Sequence, residues 1–231
     1  MHKTIRVRAI AIVIGSMLLT NSISAQQEED RWRYMIGLLE IPSALGPFMS
    51  LNSERAPAKR AIKIYSAPSA KSRIIAVVDD PEKIAQAKLT SEELAALAFR
   101  KRNGWYLIGL EGKRAKGWVS PADAGTFIPV DKLFIDKMTY LNHHWDKRLW
   151  RLPSRQSSYR RLRLKGDGTP PQYDVDITGA RRVGGKLWLR IEALGPGRCR
   201  GMNEPKVIAR GWVPAYTEGG ALIAWYYSGG C

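Results

Sequence analysis

The sequence is poor in the residues that carry most nucleophilic and metal chemistry, with two cysteines and three histidines in 231 residues. His2 falls at the extreme N-terminus, and the other two, His143 and His144, are adjacent. Neighbours on a strand point to opposite faces, and no third ligand stands at a useful spacing, so no metal site is expected. Asp174 and Asp176 alternate with apolar residues and share a strand face. Glycoside chemistry would need one of such a pair in an apolar pocket, whereas this face is the outward one of a hairpin. The sequence therefore predicts a non-enzyme with no catalytic residues, no metal and no cofactor.

Long apolar runs are scarce too. The one at Ala9 to Leu19 is too short to span a bilayer, and no later stretch is long enough. Basic residues precede it and Ser22-Ile23-Ser24-Ala25 follows, which reads as a secretory signal peptide over 1–25, helical in its apolar part. No cysteine follows the run for lipid attachment, so the mature chain is expected to begin near Gln26 as a periplasmic or secreted protein with no stable membrane insertion. Carboxylates are the third shortage: 37 Lys and Arg stand against 21 Asp and Glu, a net charge of +16. Removing Lys3, Arg6 and Arg8 with the signal leaves the excess large. In an envelope this charge favours anionic glycans or lipid phosphates, and export argues against nucleic acid.

What the sequence does have is an internal repeat. Ile64-Tyr65-Ser66-Ala67-Pro68-Ser69-Ala70-Lys71-Ser72 and Leu149-Trp150-Arg151-Leu152-Pro153-Ser154-Arg155-Gln156-Ser157 share an apolar residue, an aromatic, Pro-Ser and a closing Ser. Further on, Asn103-Gly104-Trp105-Tyr106-Leu107-Ile108 and Gly117-Trp118-Val119 match Gly184-Gly185-Lys186-Leu187-Trp188-Leu189 and Gly211-Trp212-Val213. Two homologous units follow.

Asn-Gly and Gly-Gly between alternating runs predict hairpins at 103–104 and 184–185. Strands are expected over 34–41, 61–65, 117–120, 173–178, 186–194, 209–213 and 222–227, with a short apolar run at 74–78, and 127–133 closes the first unit. Thr90 with Glu93 forms a capping-box pattern, which predicts a helical turn near 90–94 before a strand reaching Arg102. Pro121 to Ala124 reads as one tight helical turn. By alternation Trp105 and Trp188 point away from the faces made by Tyr106 and Ile108 and by Leu187 and Leu189.

Tyr65-Ser66-Ala67-Pro68-Ser69, Gly104-Trp105-Tyr106-Leu107-Ile108 and Gly117-Trp118-Val119 together resemble the bacterial SH3-like domain of exported, wall-associated proteins. Residues 138–231 resemble it more loosely, through Leu187-Trp188-Leu189-Arg190 and Arg210-Gly211-Trp212-Val213-Pro214. The expected fold is all-β: a signal peptide at 1–25, an N-terminal strand and loop at 26–60, and small antiparallel SH3-like barrels in tandem at 61–136 and 137–231. The resemblance implies a binding module. Its expected ligand is an anionic cell-envelope polymer such as peptidoglycan, held by Trp105, Trp118, Trp188 and Trp212 with Arg100, Lys101 and Arg102. The alternatives are an adaptor or inhibitor that recognises an exported protein segment, and tryptophans that only close the barrel ends.

Oxidising surroundings and a longer loop carrying Cys199 predict a disulfide to Cys231, contributing on the order of 3 kcal/mol. Intact-mass measurement of exported protein is expected to give a chain starting near Gln26 with both thiols oxidised. Uncleaved cytosolic protein would remove the envelope argument, and free thiols the disulfide.

Overall fold

The computed structural model describes residues 32–41, 61–91, 93–112, 115–164, 166, 168, 171–195 and 205–228. The signal segment, the loop 42–60, Lys113-Arg114, Cys199 and Cys231 lie outside the described residues. The chain is all-β, with strands β1 (Gly37–Leu39), β2 (Ile62–Tyr65), β3 (Ile74–Val78), β4 (Gln86–Lys88), β5 (Leu94–Arg102), β6 (Trp105–Gly109), β7 (Lys116–Val119) and β8 (Phe127–Pro129) in its first half. The second half holds β9 (Thr139–Leu141), β10 (Arg148–Trp150), β11 (Tyr159–Arg161), β12 (Tyr173–Val183), β13 (Lys186–Leu194), β14 (Val207–Pro214) and β15 (Ala224–Tyr226). Between the halves lies one turn of helix, α1 (Val130–Leu133).

The strands make two antiparallel sheets, ordered β3-β2-β7-β6-β5-β1-β8 and β11-β10-β14-β13-β12-β9-β15, with β4 added beside β5. Step for step the two paths have the same topology: β1, β2 and β3 correspond to β9, β10 and β11, and β5 to β8 correspond to β12 to β15. The repeat reaches individual hydrogen bonds. Ser72 Oγ donates to the carbonyls of Ala67 and Ser69, at 2.9 and 2.7 Å. Ser157 Oγ does the same to Leu152 and Ser154, at 3.1 and 2.9 Å. The closing serine of each Pro-Ser-x-x-Ser segment thus satisfies the carbonyls of its own tight loop.

Both hairpin turns form as their residues require. Asn103 and Gly104 have φ of 49° and 79°, and Gly184 and Gly185 have 56° and 76°, the left-handed pair of a type I′ turn. The glycines of the two Gly-Trp-Val segments have a different cause, because neither has positive φ. A Cβ on Gly117 would overlap Ile64 Cγ2, and one on Gly211 would lie 2.6 Å from Leu149 Cγ and 2.8 Å from the Trp150 carbonyl oxygen. In each unit the strand holding this glycine passes directly over the apolar residue that precedes the aromatic.

The core has two parts. Leu39, Ile41, Ile62, Ile64, Ala96, Ala98, Ile108 and Val119 fill the first unit. A second cluster runs from Leu38, Ala95 and Leu97 through Val130 and Phe134 into Leu141, Val175, Leu189 and Ile191, and so joins the two sheets. In register, Leu38 faces Leu97 and Leu39 faces Ala96, so β1 and the Ala95-Ala96-Leu97-Ala98 part of β5 are buried on both faces, one toward their own unit and one toward the other. Polar groups reinforce the junction. Tyr216 Oη donates to the Met35 carbonyl at 2.6 Å, Tyr226 Oη to that of Lys88 at 2.5 Å, and Lys137 Nζ to that of Leu89 at 2.8 Å. Burial holds both phenols well above the ordinary range and depresses the Lys137 ammonium.

One expectation is corrected. The Thr90/Glu93 pattern does form its cap bond, Glu93 N–H to Thr90 Oγ1 at 3.0 Å, but inside the turn of the β4–β5 hairpin rather than a helix. Pairing of Leu94 to Ala96 with β4 overrides the helix preference of these residues. Residues 121–124 form the single tight turn expected, closed by Asp123 and Ala124 N–H onto the Ser120 carbonyl.

Adding a methyl at the strand crossings should overpack them. Gly117→Ala and Gly211→Ala are each expected to cost about 1–3 kcal/mol, while Gly219→Ala, which meets nothing closer than 3.8 Å, should be nearly neutral. Denaturant midpoints for the three variants test this, and equal midpoints would mean the crossings are loose.

Candidate ligand-binding faces

Strand register shows what stands beside each candidate side chain. In the first sheet Arg102 lies opposite Trp105, Arg100 opposite Leu107, Leu107 opposite Trp118, and Trp118 opposite Tyr65. These side chains therefore share one face. Tyr65 and Trp105 meet edge to face, with centroids 5.2 Å apart at 89°. In the second sheet Arg181 lies opposite Trp188, Arg190 opposite Trp212, and Trp212 opposite Trp150. Trp150 and Trp188 meet edge to face at 5.6 Å and 80°, so the first unit's aromatic pair is reproduced at equivalent positions. Tyr159, opposite Trp150 on the edge strand, extends the cluster and has the Arg148 guanidinium 4.9 Å above its ring.

Exposure separates the sequence-predicted residues. Trp105 and Trp212 are half-buried and lie at the surface of their clusters. Trp118 and Trp188 are buried, at 7% and 2% exposure, against the expectation that they present free faces. Alternation placed Trp188 on the correct side of its strand. That side, however, is covered by the edge-to-face rings of neighbouring strands, so the indole is a floor and not a contact surface.

Of the three cations at 100–102, only Arg100 and Arg102 stand on the face of Trp105. Lys101 points the other way, its ammonium 5.2 Å above the Tyr106 ring and 5.6 Å above that of Phe127. Arg100, Arg102, Arg181 and Arg190 are exposed, and none is ion-paired among the described residues. Glu192, the carboxylate on the strand of Arg190, is engaged by Arg210 at 2.7 Å. Along β12 and β13 this outer face changes sign: Asp174, Asp176 and Glu192 lie toward the junction, and Arg181, Lys186 and Arg190 toward the hairpin tip.

The sequence had offered Tyr65 and Trp150 only as markers of the repeat. Their shared parity with Trp105 and Trp188 across paired strands makes them site residues, and it depends on a register that hairpin signals alone fix for only one strand pair. His143 and His144 rings lie 4.1 Å apart. Among the described residues no three His, Cys, Asp or Glu side chains are grouped to hold a metal ion. No helix among the described residues is long and apolar enough to cross a membrane. No family model matches the chain, and neither the curated proteins nor the solved structures yield a match.

Burial predicts opposite roles for equivalent indoles. Trp188→Ala should destabilise the protein by about 3–5 kcal/mol, as expected for truncating a buried tryptophan. Trp105→Ala should lower the melting temperature far less, and melts that moved equally would show that Trp105 is a packing residue as well.

Proposed function

We propose that the chain is an exported, non-catalytic binding protein of two SH3-like units that recognises an anionic cell-envelope polymer such as peptidoglycan. One observation carries the reading. At equivalent register positions both units set an exposed, unpaired arginine against an aromatic cluster, Arg102 beside Trp105 and Arg181 beside Trp188. Guanidinium groups offer planar, paired donors to phosphate and carboxylate, and half-buried rings offer a face for sugar carbons. The basic excess left after the signal segment, 37 − 3 − 21 = +13, adds long-range attraction to a polyanion. Within this reading Trp105, Trp212, Arg100 and Arg102 make direct contact, Arg181 and Arg190 join them, and Trp118 and Trp188 brace the floor. Periplasmic or secreted location follows from the signal-like N-terminus.

A second reading, an adaptor or inhibitor for an exported protein segment, draws on β3. This edge strand leaves Ile74, Ile75 and Val77 at 43, 39 and 55% exposure, a template to which an extended peptide could add a strand. The corresponding edge, β11, carries Arg160 and Arg161 instead.

Sedimentation with purified peptidoglycan distinguishes the two. Wild type is expected to pellet at low salt and be released as exposed charges are screened over about 8 Å at physiological ionic strength. The combined Arg100→Ala, Arg102→Ala, Arg181→Ala and Arg190→Ala variant should stay in the supernatant with its melting temperature nearly unchanged. Folded wild type left wholly in the supernatant at low salt would sink the polymer reading. Binding abolished instead by Val77→Lys would favour the second.

A further inference from the structure

A groove of about 540 Å³ opens where the two units meet, at the junction end of the second sheet's outer face and away from the hairpin tip that carries Arg181 and Arg190. Its floor follows from register. Tyr140 of β9 lies opposite both Asp174 of β12 and Trp225 of β15, so the three side chains share one face of the second sheet. Tyr227 joins them, its ring 4.9 Å from that of Tyr140 and its hydroxyl donating to Asp174 Oδ1 at 2.8 Å. The facing wall belongs to the first unit. Trp32 meets Trp225 edge-on at 4.4 Å, and β4 contributes Gln86 and Lys88. Among the described residues β4 has no counterpart in the second sheet, so the groove is built by the element that breaks the repeat. The Tyr226 and Lys137 hydrogen bonds to the Lys88 and Leu89 carbonyls pin that wall to the floor.

The lining selects a ligand class. Aromatic rings form the platform, Gln172 stands half-buried at the rim, and Lys88 is the one cation of the lining, whereas the Gln86 amide is turned away, its Nε2 donating to the Pro81 carbonyl at 3.1 Å. The groove is shallow and open, with ring edges at its base and polar groups over most of its accessible lining, and its volume is within the range of small-molecule sites. A pyranose has the matching form: C–H groups on its faces and hydroxyl or acetamido groups around its edge. A polyanion would find no cluster of cations here. We propose that this junction groove binds a pyranose ring of an uncharged glycan against Trp225, Tyr140 and Trp32, with the Gln172 amide at its polar edge. The inference does not depend on the polymer-binding reading, because it uses different residues and no net charge.

Saturation-transfer NMR on the full chain, with triacetylchitotriose and cellotriose as probes, tests it. Ring C–H protons of at least one sugar should be saturated from the protein, equally at low and high salt and equally in Arg100→Ala/Arg102→Ala protein. Trp32→Ala should weaken binding about tenfold, a loss of about 1.4 kcal/mol, and Trp32→Phe should recover most of it. Should Trp32→Ala fail to fold, Gln172→Ala at the half-exposed rim provides the same reading. Folded wild type that transfers no saturation to either sugar overturns the proposal. So does undiminished binding in the folded groove variants, or binding that vanishes with salt or with the arginine substitutions, since it would then belong to the cationic faces.

Discussion

Burial of β1 and the Ala95-Ala96-Leu97-Ala98 part of β5 on both faces is the constraint on which the rest of the structure depends. A strand in a small sheet usually has one face for the core and one for water, and its sequence alternates. Ala95-Ala96-Leu97-Ala98 has no polar member because Ala96 and Ala98 line the first unit's interior while Ala95 and Leu97 face the second. Small side chains let two units approach the same backbone from opposite sides. The consequence is one continuous core across the two sheets, with β4 and the N-terminal segment at Trp32 brought against β9 and β15. Both the orientation of the units and the existence of the junction groove follow.

This arrangement also explains which parts of the fold were legible in the sequence. Turns were, because Asn103-Gly104 and Gly184-Gly185 have local backbone requirements that few residues meet. The repeat was, because Pro-Ser-x-x-Ser and Gly-Trp-Val each solve a local problem, a self-bonded loop and a close strand crossing. The alanine-rich stretch after Thr90 was misread at its start because its composition answers to partners distant in sequence, and double burial resembles helix propensity when viewed locally. Exposure of the tryptophans was only half legible. Alternation gives the side of a strand, but whether that side is wet depends on rings from other strands, as Trp188 under Trp150 shows. The groove was less legible still, since its two walls come from opposite ends of the chain.

Comparison of the two aromatic faces shows how the copies have diverged. In the first unit Tyr65 and Trp105 are half-buried and Leu107 occupies the centre of the face. In the second, Trp150 and Trp188 are buried and the central position is Arg190. A fully packed aromatic floor holds its rings in fixed orientation, so the arginines above it have a rigid, low-dielectric base that strengthens their field compared with the same charges on a mobile loop. An open cluster exposes ring area instead. At equivalent register positions the first unit thus exposes more ring area, at Tyr65 and Trp105, and the second places an arginine where the first has leucine.

That divergence is possible because the residues that specify the fold and those that make the faces are separate. Gly117 and Gly211, the closing serines and the type I′ turns lie at crossings and loops, while Leu107/Arg190 and Arg102/Arg181 stand outward on strands whose inner neighbours carry the core. Exchanging an outward leucine for an arginine changes what the face attracts without touching the crossing beneath it. The core-sharing junction has no such freedom. Successive residues of its strands pack alternately toward one unit and the other, so new surface could be added only at its margin, which is where β4 lies and where the aromatic groove opens.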